Sequence, residues 1–312
     1  MGEYLGEAAA LACSLFWAIC SLAFAAAGRR AGASSVNFVR IQIAVVALTG
    51  IHFAILGCAF PEGVSVRQAT LLAVSGVLGL AIADLLLFRC MTVLGARTGS
   101  LLMGTSPVLT MFLESILEQR WPTGQAIFGV FFVVFGVGMV IRDRSGRAAE
   151  SSNASASEER RAIWFGVIAA LGQSVGILMT DAGLEAEGSE TQVAPISGTW
   201  IRMLAASVGM LVGAILLRRT KLVFRVYHHS AALRLTALGA IFGPILGVWM
   251  LSEAVVRTEA WVVSTLSSLA PIFLIPILWF GFRTRPSWTS LLGTVVAIGG
   301  AVLVMLRESG AP

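Results

Sequence analysis

Residues Arg142 to Arg161 read RDRSGRAAESSNASASEERR. The stretch is polar, rich in Ser and Ala and free of apolar periodicity, so it reads as a flexible linker. On either side of it the chain changes character. Apolar residues run in blocks of about twenty, the length a helix rising ~1.5 Å per residue needs to cross a hydrocarbon core ~30 Å thick. Five blocks precede the linker, near 7–27, 36–57, 69–93, 97–117 and 123–141. Five follow it, near 162–186, 195–217, 230–254, 259–280 and 287–306. Between them stand helix-ending residues such as Gly28, Gly57 to Pro61, Gly95, Pro122 and Pro286. The predicted fold is an all-α polytopic membrane protein with ten transmembrane helices. It divides into a five-helix repeat at 1–141, a linker at 142–161 and a second five-helix repeat at 162–312.

Composition leads to the same class. Of 312 residues, 57% are apolar and 12% charged, against roughly 45–50% and about 25% in soluble domains. Mean hydropathy is +0.86. These values exclude a water-soluble enzyme. A net charge of +5 and a pI near 9.6 would point to nucleic acid in a soluble chain, but here the charge is sorted by side. Of the 22 Lys and Arg, fourteen fall in the segments on the linker side, four on the opposite side and four within spans. By the positive-inside rule the linker is cytoplasmic and both termini are external. The expected location is the cell membrane, as a multi-pass protein of a bacterial inner membrane, with the lipid bilayer as partner and no nucleic acid. The arginine-rich bias fits a GC-rich bacterial coding sequence. Cys13, Cys20, Cys58 and Cys90 show no metal-ligand spacing, so no metal or other cofactor is expected. Acidic Glu3 and Glu7 precede the first block, which therefore reads as a retained span and not a cleaved signal peptide.

The two halves resemble each other. An offset of 164 positions pairs Gly79 with Gly243, Ser100 with Ser264, Pro107 with Pro271, Pro122 with Pro286, Gly129 with Gly293 and Gly136 with Gly300, and an offset of 162 pairs Arg40 with Arg202. The matched residues are mostly types that bend helices or let them approach closely. A repeat with an odd number of spans places its second copy upside down in the membrane. Inverted repeats of this kind are the signature of alternating-access transporters, with the substrate site near the midplane.

Three stretches carry a family resemblance: Trp17 midway along the first span, FVRIQIA from Phe38 to Ala44, and LGARTGSLLMGTSPVLTMFLESILEQRWPTG from Leu94 to Gly124. The chain resembles the ten-helix EamA-type members of the drug/metabolite transporter superfamily over almost its whole length. Glu118 stands where that family usually has a loop glutamate. The second half departs from the pattern, with Ala270-Pro271 in place of Ser-Pro and Phe282 at the position matching Glu118. The resemblance implies a transporter and leaves the substrate open, since members carry amino acids, other metabolites, nucleotide sugars, cofactors or cations.

Ionisable residues inside spans are costly and so face a cavity or a partner. Asp84, deep in the third span, reads either as a cation-binding or protonatable site or as a structural partner of Arg40 or Arg89. Asp181 in the sixth span has Arg202 and Glu253 as candidate partners, which would set one ion pair in each half of the membrane as alternating gates. In the other reading, Asp181 and Glu185 sit among the headgroups. Glu114 and Glu118 read as solvated or helix-capping. Ser100 and Ser264 sit at pseudo-equivalent depths ahead of Pro107 and Pro271. Their hydroxyls either satisfy carbonyls freed by the prolines or line a polar cavity. Trp17 and Trp249 are candidate cavity aromatics, and Ser21 is the counterpart of Asp181 at an offset of 160. The candidate substrate-binding set is thus Trp17, Ser21, Asp84, Ser100, Asp181, Trp249 and Ser264, with Arg40, Arg89, Arg202 and Glu253 as gating or ion-pair residues and no catalytic residue.

The function expected is secondary, alternating-access transport by a monomer or homodimer. The cargo is a small zwitterionic or cationic metabolite, amino acids or amines first, exported from the cytoplasm with protons as a candidate coupling ion. A nucleotide-sugar or cofactor exchanger is the alternative, and an intramembrane enzyme ranks below both. No GxxxxGK[ST] loop occurs, so this chain alone does not pump with ATP.

Overall fold

A computed structural model describes residues 4–144, 155–186, 191–283 and 286–307. Ten helices are long and apolar enough to cross a membrane. They are α1 (Leu5–Ala31), α2 (Ala33–Leu56), α3 (Val66–Gly95), α4 (Thr98–Leu117), α5 (Gly124–Arg142), α6 (Ala156–Leu184), α7 (Pro195–Leu216), α8 (Ser230–Val255), α9 (Ala260–Gly281) and α10 (Trp288–Met305). Each coincides with one of the ten apolar blocks. The helical conformation of α5 runs on to Arg144, and α6 starts at Ala156, inside the stretch read as linker. Ser155 caps the α6 start, its hydroxyl accepting from the Glu158 N–H while the Glu158 carboxylate accepts from the Ser155 N–H. Residues 145–154 of the linker lie outside the described residues.

Turns on the linker side are tight because glycine makes them. Gly32, at φ +89°, is the whole connection between α1 and α2, and Gly95, at φ +80°, breaks the path from α3 into α4. Side chains with a Cβ rarely adopt such backbone angles.

The repeat is visible as matched irregularity. A π-helical turn interrupts α3 at Val77–Ile82, and another interrupts α8 at Ile241–Gly247, 164 positions on. Pro244 accounts for the second, since it has no N–H for the regular ladder. Each wide turn rests on the first helix of the other repeat. Gly79 lies against Gln173 and Gly176 of α6, and Gly243 and Gly247 lie against Cys20 and Trp17 of α1. The helices before the two prolines break at the same relative place. α4 stops at Met103 and restarts at Ser106, and α9 stops at Ser267 and restarts at Ala270. Pro107 and Pro271 dictate this, each excluding a bond to the carbonyl one turn back.

At the edge of the bundle, α5 and α10 pack through the paired glycines. A Cβ on Gly136 would lie 2.5 Å from the Gly293 carbonyl oxygen and the Ala297 nitrogen, and one on Gly129 3.0 Å from the Gly300 oxygen. Small residues bring the two backbones together, as is usual for helices that meet in lipid.

Candidate functional site

Both helix breaks open onto one cavity of about 240 Å³. The α4 break contributes Ser100, Met103, Gly104, Ser106 and Pro107, and the α9 break contributes Ser264, Ser267, Ser268, Ala270 and Pro271. Trp17 of α1 adds an indole to the wall, and α6 adds the amide of Gln173 and the apolar side chain of Ile177. Trp17 reaches the cavity because Gly247, in the wide turn of α8, gives its indole room. The lining extends to Met91, Ser100 and Ile141, close to the linker-side ends of their helices.

Several hydroxyls here serve the broken backbone. Thr105 donates to the Leu102 carbonyl at 2.6 Å, Ser268 to that of Thr265 at 2.7 Å and Ser267 to that of Ser264 at 3.1 Å. Others tie the repeats together, with Thr110 donating to Ser264 Oγ at 3.2 Å and Ser106 bonded to Ser174 Oγ at 3.0 Å. The cavity thus presents hydroxyls, one amide, an indole and apolar side chains, and no carboxylate or guanidinium among its described lining.

On the opposite side of the membrane the bundle is tied shut. Arg307 donates to Glu7 Oε1 at 3.0 Å and to Thr258 Oγ1 at 2.6 Å, pairs with Glu259 and stacks over the Trp261 ring at 5.5 Å. Burial alone would raise the Glu259 pKa, but the Arg307 hydrogen bond and charge outweigh it and hold the carboxyl below its ordinary value. Arg307 is held above its usual value by the same carboxylates against the opposing effect of burial. Beside this network Glu114, only 3% exposed, accepts from the backbone N–H groups of Ala260 at 2.9 Å and Trp261 at 2.6 Å. A carboxylate of the first repeat therefore caps the first turn of α9, in the second. These residues border a second hollow, of about 270 Å³, with Glu118 and Arg120 at its rim. Burial and the nearby Glu259 and Glu185 raise the Glu118 pKa.

Of the residues singled out from sequence, Trp17, Ser100 and Ser264 line the central cavity. Asp84 does not. It forms an ion pair with Arg40, whose guanidinium lies 5.3 Å from the centre of the Phe24 ring, and both side chains are 18% exposed. Ser21 donates to the Ala18 carbonyl of its own helix. Trp249 donates to Glu253 at 3.0 Å, and Glu253 also pairs with Arg257. Arg89 borders a separate groove with Asn37 and Arg219. Asp181 and Arg202 do not meet. α3 lies between them: Gly176 and Gly183 of α6 pack on Ser75, Gly79 and Leu72, while the Arg202 backbone packs on Gly76. Gln173 carries no charge and so escapes a sequence reading guided by ionisable groups. Its signal is an amide amid the small and apolar residues of AALGQSVGILM.

Ten spans in two inverted five-helix repeats, with paired helix breaks around one cavity, define a membrane protein of the inverted-repeat transporter class. A model of the EamA-like transporter family matches residues 4–142 and again 160–306, and the chain belongs to that family. A solved chain titled "Crystal structure of protein" shares the fold at a TM-score of 0.75 and 16% identity, over 96% of each chain. No curated protein matches the chain.

Proposed function

We propose that this transporter exports small zwitterionic or cationic metabolites, amino acids and amines first, from a cytoplasm on the linker side, by alternating access driven by a gradient or by exchange. The observation that carries this reading is the cavity between the two helix breaks, which reaches toward the linker side while Arg307, Glu7, Glu259 and Trp261 close the other. Its volume of about 240 Å³ falls below the ~300–1,000 Å³ of pockets for drug-sized ligands. That suits an amino acid or amine better than a nucleotide sugar. A diphosphate would also call for several convergent basic groups, and the described lining supplies none.

Counterflow in proteoliposomes tests the reading. Liposomes loaded with unlabelled amino acids or amines should accumulate the labelled solute, and those loaded with nucleotide sugars should not. Robust nucleotide-sugar exchange with no response to amino acids or amines would overturn it. Orientation has its own test. A cysteine introduced at Ser152, with the native cysteines replaced, should resist an impermeant thiol reagent in intact bacteria.

A further inference from the structure

Arg202 is 2% exposed, in the half of α7 away from the linker side, and its Nε and Nη1 have no hydrogen-bond partner among the described residues. The Cys13 thiol of α1 lies near enough to interact with its charge. Its pseudo-symmetric counterpart is treated differently. Arg40 on α2 meets Asp84 on α3. In the second repeat the position matching Asp84 is Val248, on α8. The α7–α8 register is fixed by Thr199, whose hydroxyl donates to Ser252 Oγ at 2.9 Å. One turn further along this antiparallel pair, Arg202 comes opposite Val248 and Trp249. The duplication has therefore kept the buried arginine and replaced its acid with a buried valine.

A guanidinium out of water without a counter-charge is strongly unfavourable unless its N–H groups find acceptors. Its donor geometry matches a carboxylate. We propose that Arg202 is an anion-recognition group for the carboxylate of a transported zwitterion, which takes the place that Asp84 fills for Arg40. This deepens the transporter reading and rests on it, because it makes the carboxylate a required part of the cargo. Arg202 is 2% exposed and is not among the residues lining the central cavity, so the contact belongs to a stage of the cycle in which it is uncovered.

The test has two arms. In the first, Val248→Asp is compared with Val248→Asn in ligand-free protein. The aspartate restores the Asp84 arrangement, so it should melt well above the asparagine variant, and Arg202→Gln placed on both should abolish the difference. Equal melting of the two Val248 variants would overturn the placement of Arg202, whatever the cargo. In the second arm, counterflow is measured with amino acids, with their methyl esters and with chloride as the only added anion. The wild type should respond to the acids and not to the esters. Arg202→Gln and Val248→Asp should weaken the apparent affinity for the acids about ten- to a hundredfold, the value of a charge-assisted hydrogen bond, and Arg202→Lys should recover part of it. Esters carried as well as acids, or chloride alone reproducing the response, would refute the carboxylate assignment. The transporter reading would then still stand on the flux. Absence of any flux would instead sink that reading, and the Val248 comparison would remain interpretable.

Discussion

Gly136 offers the sharpest test of how the two repeats are joined. A Cβ built there sits 2.5 Å from the Gly293 oxygen and the Ala297 nitrogen, both backbone atoms, and 2.8 Å from the Ala297 Cβ. Backbone cannot rotate out of the way, so α5 and α10 must part by about 1 Å to reach the 3.4 Å of ordinary contact. A gap of ~0.5–1 Å forfeits a quarter to a half of each dispersion contact along the seam, and overpacking a well-packed site costs roughly 1–3 kcal/mol. Gly136→Ala should therefore destabilise the protein by about 1–3 kcal/mol, despite alanine's advantage of roughly 0.8–1.0 kcal/mol in a helix. Gly50 is the control, because nothing lies within 4 Å of its added Cβ. Gly50→Ala should be neutral or mildly stabilising. Adding Gly293→Ala to Gly136→Ala should cost less than the sum of the two singles, since both strain the same contact and one parting of the helices accommodates both. Melting in detergent and unfolding under denaturant titration read the result. Equal stability of Gly136→Ala and Gly50→Ala would refute the close-packed seam.

Asp84→Asn should lower stability, because it leaves Arg40 without its counter-charge and breaking such a pair costs ~3–5 kcal/mol where burial is complete, less at 18% exposure. Transport per folded molecule should also fall, and an unchanged rate with a lower melting temperature would leave the pair purely structural. Glu259 has its pKa depressed in the fold, so its contribution is fully present above the unfolded carboxylate value and is lost as pH falls through the folded one. Melting temperature should drop on acidification in the wild type, and Glu259→Gln should flatten that limb. An equally steep acid limb in the variant would count against the Arg307 network. Gln173→Leu removes the amide of the central cavity and should raise the half-saturating substrate concentration with little change in melting. A loss of stability with normal transport would contradict its place in the site.

Much of the fold is legible in the amino-acid sequence alone. Blocks of about twenty apolar residues have few folded solutions other than spans, and Pro107, Pro271 and the Gly243-Pro244 pair mark breaks wherever they stand. The duplication is readable because glycine and proline are the residues whose backbone roles resist substitution. The site is less legible. Trp17, Ser100 and Ser264 come together because the breaks in α4 and α9 face each other, and the repeat hints at that pairing. The order in which helices pack is not written in hydropathy, so nothing in the sequence shows that α3 separates Asp181 from Arg202. For the same reason the reading of Glu114 as solvated or helix-capping does not reveal that the helix it caps is α9. Its partners are backbone N–H groups of α9, and backbone leaves no mark in side-chain patterns.

In the proposed transport cycle the cavity between the two helix breaks holds the substrate and is reached from one side at a time. The most direct measurement is the labelling of Ser100→Cys, with the native cysteines replaced, in membrane vesicles of either orientation. An impermeant maleimide should react with it from the linker side, and a transported amino acid should slow that reaction while leaving a cysteine at exposed Ser230 unaffected. Equal labelling from both sides at once, or no protection by a solute that the protein demonstrably carries, would contradict the account.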